Sequence, residues 1–183
     1  NNLSNIKSNR VTIVAIHELS YLKYFAISKI KKHNLAISTT SVIIKKIKSI
    51  CKKNRIYLLF PFYEKSHDMF YNTAIMISSN GKIIGKYRKI HIPNEKCYQE
   101  QHHFDIPKKK YVVVKVNNYN VGIMLCWDQW HSDIYNKLNK KGIDLIICPT
   151  SIGNATINNK LITSKDEKAK WLSTIAANSL MIN

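Results

Sequence analysis

Apolar positions recur along this chain with two periods, one suited to strands and one to helices. Val11 to Ile16 is a short apolar run closed by the polar pair His17-Glu18, which suits a buried strand. Val42, Ile43, Ile47, Ile50 and Cys51 follow helical spacing, with Lys45, Lys46, Lys48, Lys52 and Lys53 on other faces. Ser38, Thr39, Thr40 and Ser41 offer N-caps for that helix. Ile56 to Tyr63 reads as a second buried strand. Phe70 to Ile77 and Lys82 to Lys89 flank Ser79-Asn80-Gly81, and Asn-Gly is a strong hairpin signal. From His91 to Lys110 the chain is polar, with Pro93 and Pro107, and reads as an ordered loop or lid. Tyr111 to Val116 and Asn120 to Cys126 form a second strand pair around Asn117-Asn118. A helix is expected from Asp128 or Gln129 to about Lys141, with Gly142 as its C′ residue. Asp144 to Cys148 reads as another buried strand and Asp166 to Asn178 as a helix. Short apolar strands interleaved with helices predict an α/β layered architecture. No repeat or linker divides the chain, so residues 1–183 read as one domain.

Composition narrows the class. The 183 residues are 45% hydrophobic, which excludes a disordered chain, and the five glycines and four prolines exclude a collagen-like one. No stretch approaches the roughly 20 apolar residues of a membrane span, so no membrane partner is expected. The chain opens on Asn1-Asn2, so its natural N-terminus is expected to lie further upstream. The net charge of +18 invites a nucleic-acid reading. The positives, however, are mostly scattered lysines. Arginine, the better reader of phosphate and bases, stands only at Arg10, Arg55 and Arg88. We read the charge as Lys and Asn filling solvated positions, with no nucleic-acid partner.

Four cysteines stand at Cys51, Cys97, Cys126 and Cys148, none in a C-x-x-C pair, so neither a zinc ribbon nor a thioredoxin-type site is indicated. Cys51 and Cys148 read as buried small hydrophobes. Cys126 ends the run Val121 to Leu125 and precedes the expected helix, where a helix N-terminus favours thiolate. On position alone it reads equally as a nucleophile or as one more buried cysteine. A nucleophilic thiolate also needs a proton shuttle and a group to hold an oxyanion. His17, His91 and His131 are candidate shuttles, and nothing in their spacing singles one out. Glu18 and Glu100 are alternatives, and Lys89 could face developing negative charge. Taken singly, each reads as a surface charge.

The motifs together are more specific. Tyr87-Arg88-Lys89-Ile90-His91-Ile92-Pro93 resembles the lysine motif of the nitrilase superfamily, the carbon-nitrogen hydrolases. Cys126-Trp127-Asp128-Gln129-Trp130 resembles the nucleophile motif of one branch, the N-carbamoylputrescine amidases. Tyr98-Gln99-Glu100 is similar to that branch too. Glu18-Leu19 with Tyr24-Phe25 resembles the motif around the catalytic Glu, and Tyr71-Asn72 and Pro149-Thr150-Ser151-Ile152-Gly153 also match. The resemblance implies a four-layer α-β-β-α sandwich and a Glu18–Lys89–Cys126 triad. In it Cys126 attacks, Glu18 serves as base and acid, and Lys89 stabilises the tetrahedral intermediate. Glu100 positions the lysine, and the Trp127 N–H helps hold the oxyanion. It implies no metal or organic cofactor, a cytoplasmic setting and a homo-oligomer.

The implied substrate is a small carbamoyl-amine or amide. The implied reaction is hydrolysis of N-carbamoylputrescine to putrescine, CO2 and ammonia, as in polyamine biosynthesis. Gln129 and Trp130 stand where relatives acting on N-carbamoyl amino acids carry arginines, which favours a cationic substrate. Asp128 and Asp133 are the candidate partners for that cation. Other amide or nitrile substrates, or a catalytically silent subunit of the same fold, are the alternatives. Intact Glu18, Lys89 and Cys126 argue against the silent subunit. The chain also departs from the family. His131-Ser132-Asp133 replaces an aromatic, Pro and Glu, and Cys97 replaces a glycine. With so little chain before Glu18 and after Asn178, the domain is expected to be incomplete at both ends.

Overall fold

Alternation in the strands sorts their side chains onto two faces, and two apolar layers follow from it. In the computed structural model, which describes residues 11–152, 156–157, 160–161 and 166–182, four strands form the first sheet. They are β1 (Ile13–Ala15), β2 (Tyr57–Ser66), β3 (Met69–Ile77) and β4 (Ile83–Arg88), in that order. β1 runs parallel to β2, and β2, β3 and β4 are antiparallel. Leu58, Phe60, Phe62, Ile75 and Ile77 face helix α1 (Val42–Asn54) and pack on Ile44 and Cys51. Leu59, Ala74, Met76 and Tyr87 point the other way.

They meet a second sheet of β7 (Val112–Val116), β8 (Tyr119–Ile123) and β9 (Leu145–Ile147), where β8 and β9 are parallel. In chain order between β4 and β7, the short strands β5 (Asn94–Glu95) and β6 (Tyr98–Gln99) form a separate hairpin. Gly85 lies where the sheets approach, and a Cβ there would collide with Val114. Helix α2 (Ser132–Asn139) covers the outer face through Leu138, which sits against Gly122. The layers are therefore helix, sheet, sheet, helix. The strands β10 (Thr156–Ile157) and β11 (Lys160–Leu161) pair separately, and α3 (Glu167–Leu180) docks through Asn178 Nδ2, which donates to the Gln129 carbonyl at 3.2 Å. Among the described residues, no helix is long and apolar enough to cross a membrane.

Local chemistry sets the boundaries. The Ser41 hydroxyl caps α1 by accepting the Ile44 N–H at 3.4 Å, and Arg55 closes the helix with φ 54°. Gly81 takes φ 77° in the β3–β4 hairpin, as its Asn-Gly pair requires.

Three expectations need correction. The segment His91 to Lys110, expected as an ordered loop or lid, contains regular structure: the β5–β6 hairpin and a 3-10 turn over Glu100–His102. Cys148 is only partly buried. The helix expected from Asp128 is broken. Cys126–Trp130 forms a 3-10 turn, His131 is extended at φ −111° and ψ 110°, and α2 starts at Ser132. The cause is tertiary: the Asp128 carboxylate is pulled inward, where its Oδ2 accepts the Leu125 N–H at 2.9 Å and the Tyr87 hydroxyl at 2.6 Å.

Candidate active site

Glu18, Lys89 and Cys126 each lie just past the end of a strand: β1, β4 and β8. Two of these exits are sharp. Cys126 itself has φ 41°, and Leu19, directly after Glu18, has φ 53°. Such left-handed conformations cost roughly 1–2 kcal/mol each in a non-glycine residue. The surrounding bonds hold them: the Cys126 N–H donates to the Pro149 carbonyl at 3.0 Å, and the Ser151 hydroxyl donates to the Glu18 carbonyl at 3.0 Å.

Lys89 is the centre of the cluster. Its side chain is 0% exposed, and its Nζ donates to Glu18 Oε1 at 2.9 Å and to both Glu100 oxygens, at 2.9 and 2.7 Å. Asn72 Nδ2 adds a donor to Glu18 Oε1 at 2.8 Å, and the Tyr24 hydroxyl one to Glu100 Oε1 at 2.8 Å. One carboxylate oxygen is left over: Glu18 Oε2 is buried with no hydrogen-bond partner among the described residues. One cation thus faces two carboxylates in a water-poor space.

The electrostatics follow from that count. Burial works against the Lys89 ammonium, but Glu100 and Glu18 outweigh it and hold its pKa well above the usual lysine range. Burial raises Glu100 to about 7, aided by Glu18 and opposed by Lys89. Burial also pushes the Cys126 thiol up. The Glu18 charge adds to this, while Lys89 and the Ser151 N–H oppose it. The thiolate expected at a helix N-terminus is therefore not what the resting site favours. The turn there is a short 3-10 segment, and its surroundings favour the thiol form of Cys126. Glu18 is the carboxylate whose charge acts most strongly on it, and it has an oxygen to spare.

This constellation has known counterparts. The family model for carbon-nitrogen hydrolases matches residues 2–178. The chain belongs to the carbon-nitrogen hydrolase family. Citrullinase from Francisella tularensis is 34% identical over 80% of this chain and 52% of that protein. N-carbamoylputrescine amidase from Oryza sativa is 27% identical over 69% of this chain and 40% of that protein. The crystal structure of a carbon-nitrogen hydrolase from Helicobacter pylori G27 superposes with a TM-score of 0.80 at 23% identity, over 92% of this chain and 57% of that one. A mutant of the Nesterenkonia AN1 amidase, from the nitrilase superfamily, superposes at 0.74. The chain spans about half the length of these relatives, and its α-β-β-α layering is that of the carbon-nitrogen hydrolase fold.

Within this carbon-nitrogen hydrolase chain the weaker candidates separate. Asp128 cannot meet a substrate cation: it is 0% exposed, and its Oδ1 accepts the His91 N–H and contacts His91 Nδ1, each at 2.9 Å. Gln129 is also interior, donating from Nε2 to the Thr150 hydroxyl at 3.3 Å. Both pack the turn rather than face a ligand. Trp130 stacks at a tilt on Trp127, with its indole N–H buried. Asp133 is the exposed acid of the four, and it faces His91 and Tyr111. Trp127 is half-buried and lines a cavity of about 260 Å³ with His91, Gln101, Ile106 and His131. Of the other candidate shuttles, His17 is exposed and His91 is tied to Asp128.

Tyr24 and Asn72 are the members of the cluster that sequence reasoning named only as parts of motifs. No spacing relates either to Glu18 or Glu100. Cys97, which replaces a glycine, has φ 71°, a conformation in which glycine carries no steric penalty.

Proposed function

We propose that this chain carries the acylation machinery of a hydrolase acting on the terminal ureido group of an alkylamine. The observation that carries the reading is the fully buried Lys89 held by two carboxylates, one with a free oxygen, whose charges act on the Cys126 thiol. Glu18 takes the thiol proton as Sγ attacks the ureido carbon. The Lys89 ammonium and the Trp127 N–H hold the oxyanion. The tetrahedral adduct collapses, and ammonia leaves with the proton that Glu18 held. An S-carbamoyl intermediate remains. Glu18 then takes a proton from water, and hydroxide displaces the sulfur. The carbamic acid formed loses CO2 and gives the free amine.

Two observations support a ureido substrate over other amides. Citrulline and N-carbamoylputrescine, the compounds that name two of the relatives, both end in a ureido group on an alkyl chain. The Cys126–Trp130 turn has no arginine to clamp a carboxylate near the nucleophile, which favours a cationic tail. Asp128 and Gln129 drop out as cation contacts, and Asp133 remains the nearby acid.

The test is ammonia release from N-carbamoylputrescine, citrulline, an N-carbamoyl amino acid, a simple ω-amide and a nitrile. Highest kcat/KM for N-carbamoylputrescine is the expected result. Preference for an N-carbamoyl amino acid overturns the cationic-substrate assignment and leaves the thiol chemistry standing. Turnover of none of them by the folded protein favours the silent-subunit reading.

A further inference from the structure

Three side chains converge outside the Lys89 ion-pair network, and of them only Asp133 has another proposed use, as an acid for the substrate's cationic tail. One ligand atom from each of His91, His131 and Asp133 lies within 4.8 Å of the others. His91 and His131 stack with ring centroids 3.8 Å apart and an 8° interplanar angle.

The proton arrangement makes the cluster a set of acceptors. Asp128 is fully buried and already accepts from Tyr87, Leu125 and the His91 backbone. Its Oδ1 lies 2.9 Å from His91 Nδ1, so that nitrogen carries the proton. His91 Nε2 then offers a lone pair, and the atom it faces is Asp133 Oδ1 at 3.4 Å, another acceptor. His131 adds a ring nitrogen, Nε2, that is buried without a hydrogen-bond partner among the described residues. In the neutral ring the His91 and Asp133 acceptors repel unless a cation sits between them, and the occupant a metal ion must displace is a second proton on His91 Nε2.

We propose that His91, His131 and Asp133 form a site for a borderline divalent transition metal of the zinc type, separate from the Lys89 cluster. The donor set, two imidazoles and a carboxylate, suits zinc over magnesium or calcium, which prefer oxygen ligands. Asp128 supplies the carboxylate that orients a ligating histidine from behind, as metal-bound histidines usually require. Access is open, because the Asp133 side chain is 45% exposed and the His91 side chain 15%. Tetrahedral bonds of about 2.0–2.1 Å bring donors to roughly 3.3 Å from one another. His91 Nε2 and Asp133 Oδ1, 3.4 Å apart, already have that separation. Donors as much as 4.8 Å apart close by up to about 1.5 Å as the imidazole rings splay from their stack. Lys109, whose charge acts on His131, opposes the ion but leaves the three donors in place.

The site lies on the cavity that Trp127 and Gln101 line, next in sequence to Cys126 and Glu100. A bound ion would sit at this cavity, and none of the proposed catalytic side chains ligates it. Of the three ligands, His131 stands where the resemblance places an aromatic, and Asp133 keeps a carboxylate where it places a Glu.

Titration of the purified 183-residue chain with Co2+ tests the site, by visible absorption and by tryptophan fluorescence, with Mg2+ as the hard-ion control. The expected result is one Co2+ per chain, a tetrahedral d–d band and no sulfur-to-cobalt charge-transfer band, with Zn2+ displacing it and Mg2+ not binding. His131→Phe keeps a ring on His91, and Asp133→Asn keeps the shape of the acid. Each should weaken Co2+ by at least about 100-fold, the upper range for losing an outer partner of a ligand. Should His131→Phe fail to fold, Asp133→Asn decides alone. No uptake by the folded wild-type chain overturns the proposal. So does a thiolate charge-transfer band, or wild-type affinity in Asp133→Asn.

Discussion

Two buried ion clusters share strand β4 and its exit, and they are charged in opposite senses. At Glu64, one carboxylate meets two cations: Lys86 Nζ at 2.8 Å and Arg88 Nε at 2.7 Å, with the Thr73 hydroxyl donating at 2.7 Å. Arg88 is held further by the Tyr71 ring, 3.7 Å from its centroid. Burial alone would push Glu64 up, but Arg88, Lys86 and Thr73 outweigh it and hold the carboxyl below its usual range. Both cations reach water, with side chains 40% and 24% exposed. At Lys89 one cation meets two carboxylates, and all three side chains are sealed from solvent. The first cluster spreads its excess charge into water. The second gains an excess negative charge only as pH rises past about 7, where Glu100 ionises, and it keeps beside a thiol a Glu18 oxygen with no partner among the described residues. That is a poor way to stabilise a fold and a good way to hold a base ready.

The largest effect should separate the clusters by activity. On whichever ureido substrate is turned over, Glu18→Gln and Cys126→Ala should each lower kcat/KM by roughly 10⁴-fold, since members of one catalytic unit fail together. Glu64→Gln should leave kcat/KM within about threefold, the range in which no catalytic contact is lost. Near-normal turnover in Glu18→Gln would break the comparison at once.

Stability should show the next effect. Lys89→Gln leaves two carboxylates buried without a cation and should cost about 3–5 kcal/mol in urea denaturation. Glu64→Gln leaves its two cations in partial contact with water and should cost about 1–3 kcal/mol. Equal losses would mean that the burial difference has no energetic consequence.

Some of this was legible in the chain and some was not. The hairpin at Asn80-Gly81 and helix α1 were readable because their signals are local: a positive φ, a serine cap and a lysine-backed apolar stripe. Glu18, Lys89 and Cys126 became candidates by motif, but their burial was not readable. Each reads locally as a polar residue at a strand end. The break at His131 was hidden for a related reason. Propensity from Asp128 onward is helical, and the inward pull on Asp128 comes from Tyr87 and His91, which lie 41 and 37 residues away in sequence. That same pull removes Asp128 as a substrate contact.

The pH profile separates the clusters by sign. Glu100 is raised in the folded state, so the folded protein binds its proton more tightly than the unfolded chain does. That contribution is present at acid pH and lost as pH rises from the ordinary carboxyl range to about 7. The loss should amount to up to about 3 kcal/mol. Glu64 is lowered, so its contribution is present above the ordinary carboxyl range and lost as pH falls through its folded value. Urea midpoints between pH 4 and 8 should therefore show a decline toward neutral pH that Glu100→Gln removes and Glu64→Gln does not. A decline that survives Glu100→Gln would assign it to another group.

The smallest effect tests the Glu64 cluster for redundancy. Lys86 is the more exposed of its two cations, and exposed ion pairs contribute about 0–1 kcal/mol. With Lys86→Ala, Arg88 still donates to Glu64 Oε2, the Tyr71 ring still holds Arg88, and the Thr73 hydroxyl still donates. Only Glu64 Oε1 loses its partner, and water can reach the space that the lysine leaves. The expected loss is under about 1 kcal/mol and shrinks further in high salt, because the pair is screened. Arg88→Ala should cost more, since it removes the less exposed cation and its contact with Tyr71. A loss from Lys86→Ala as large as that from Lys89→Gln would show that Glu64 is as short of cations as Glu18 and Glu100. The opposite charge excess of the two clusters would then no longer explain their difference.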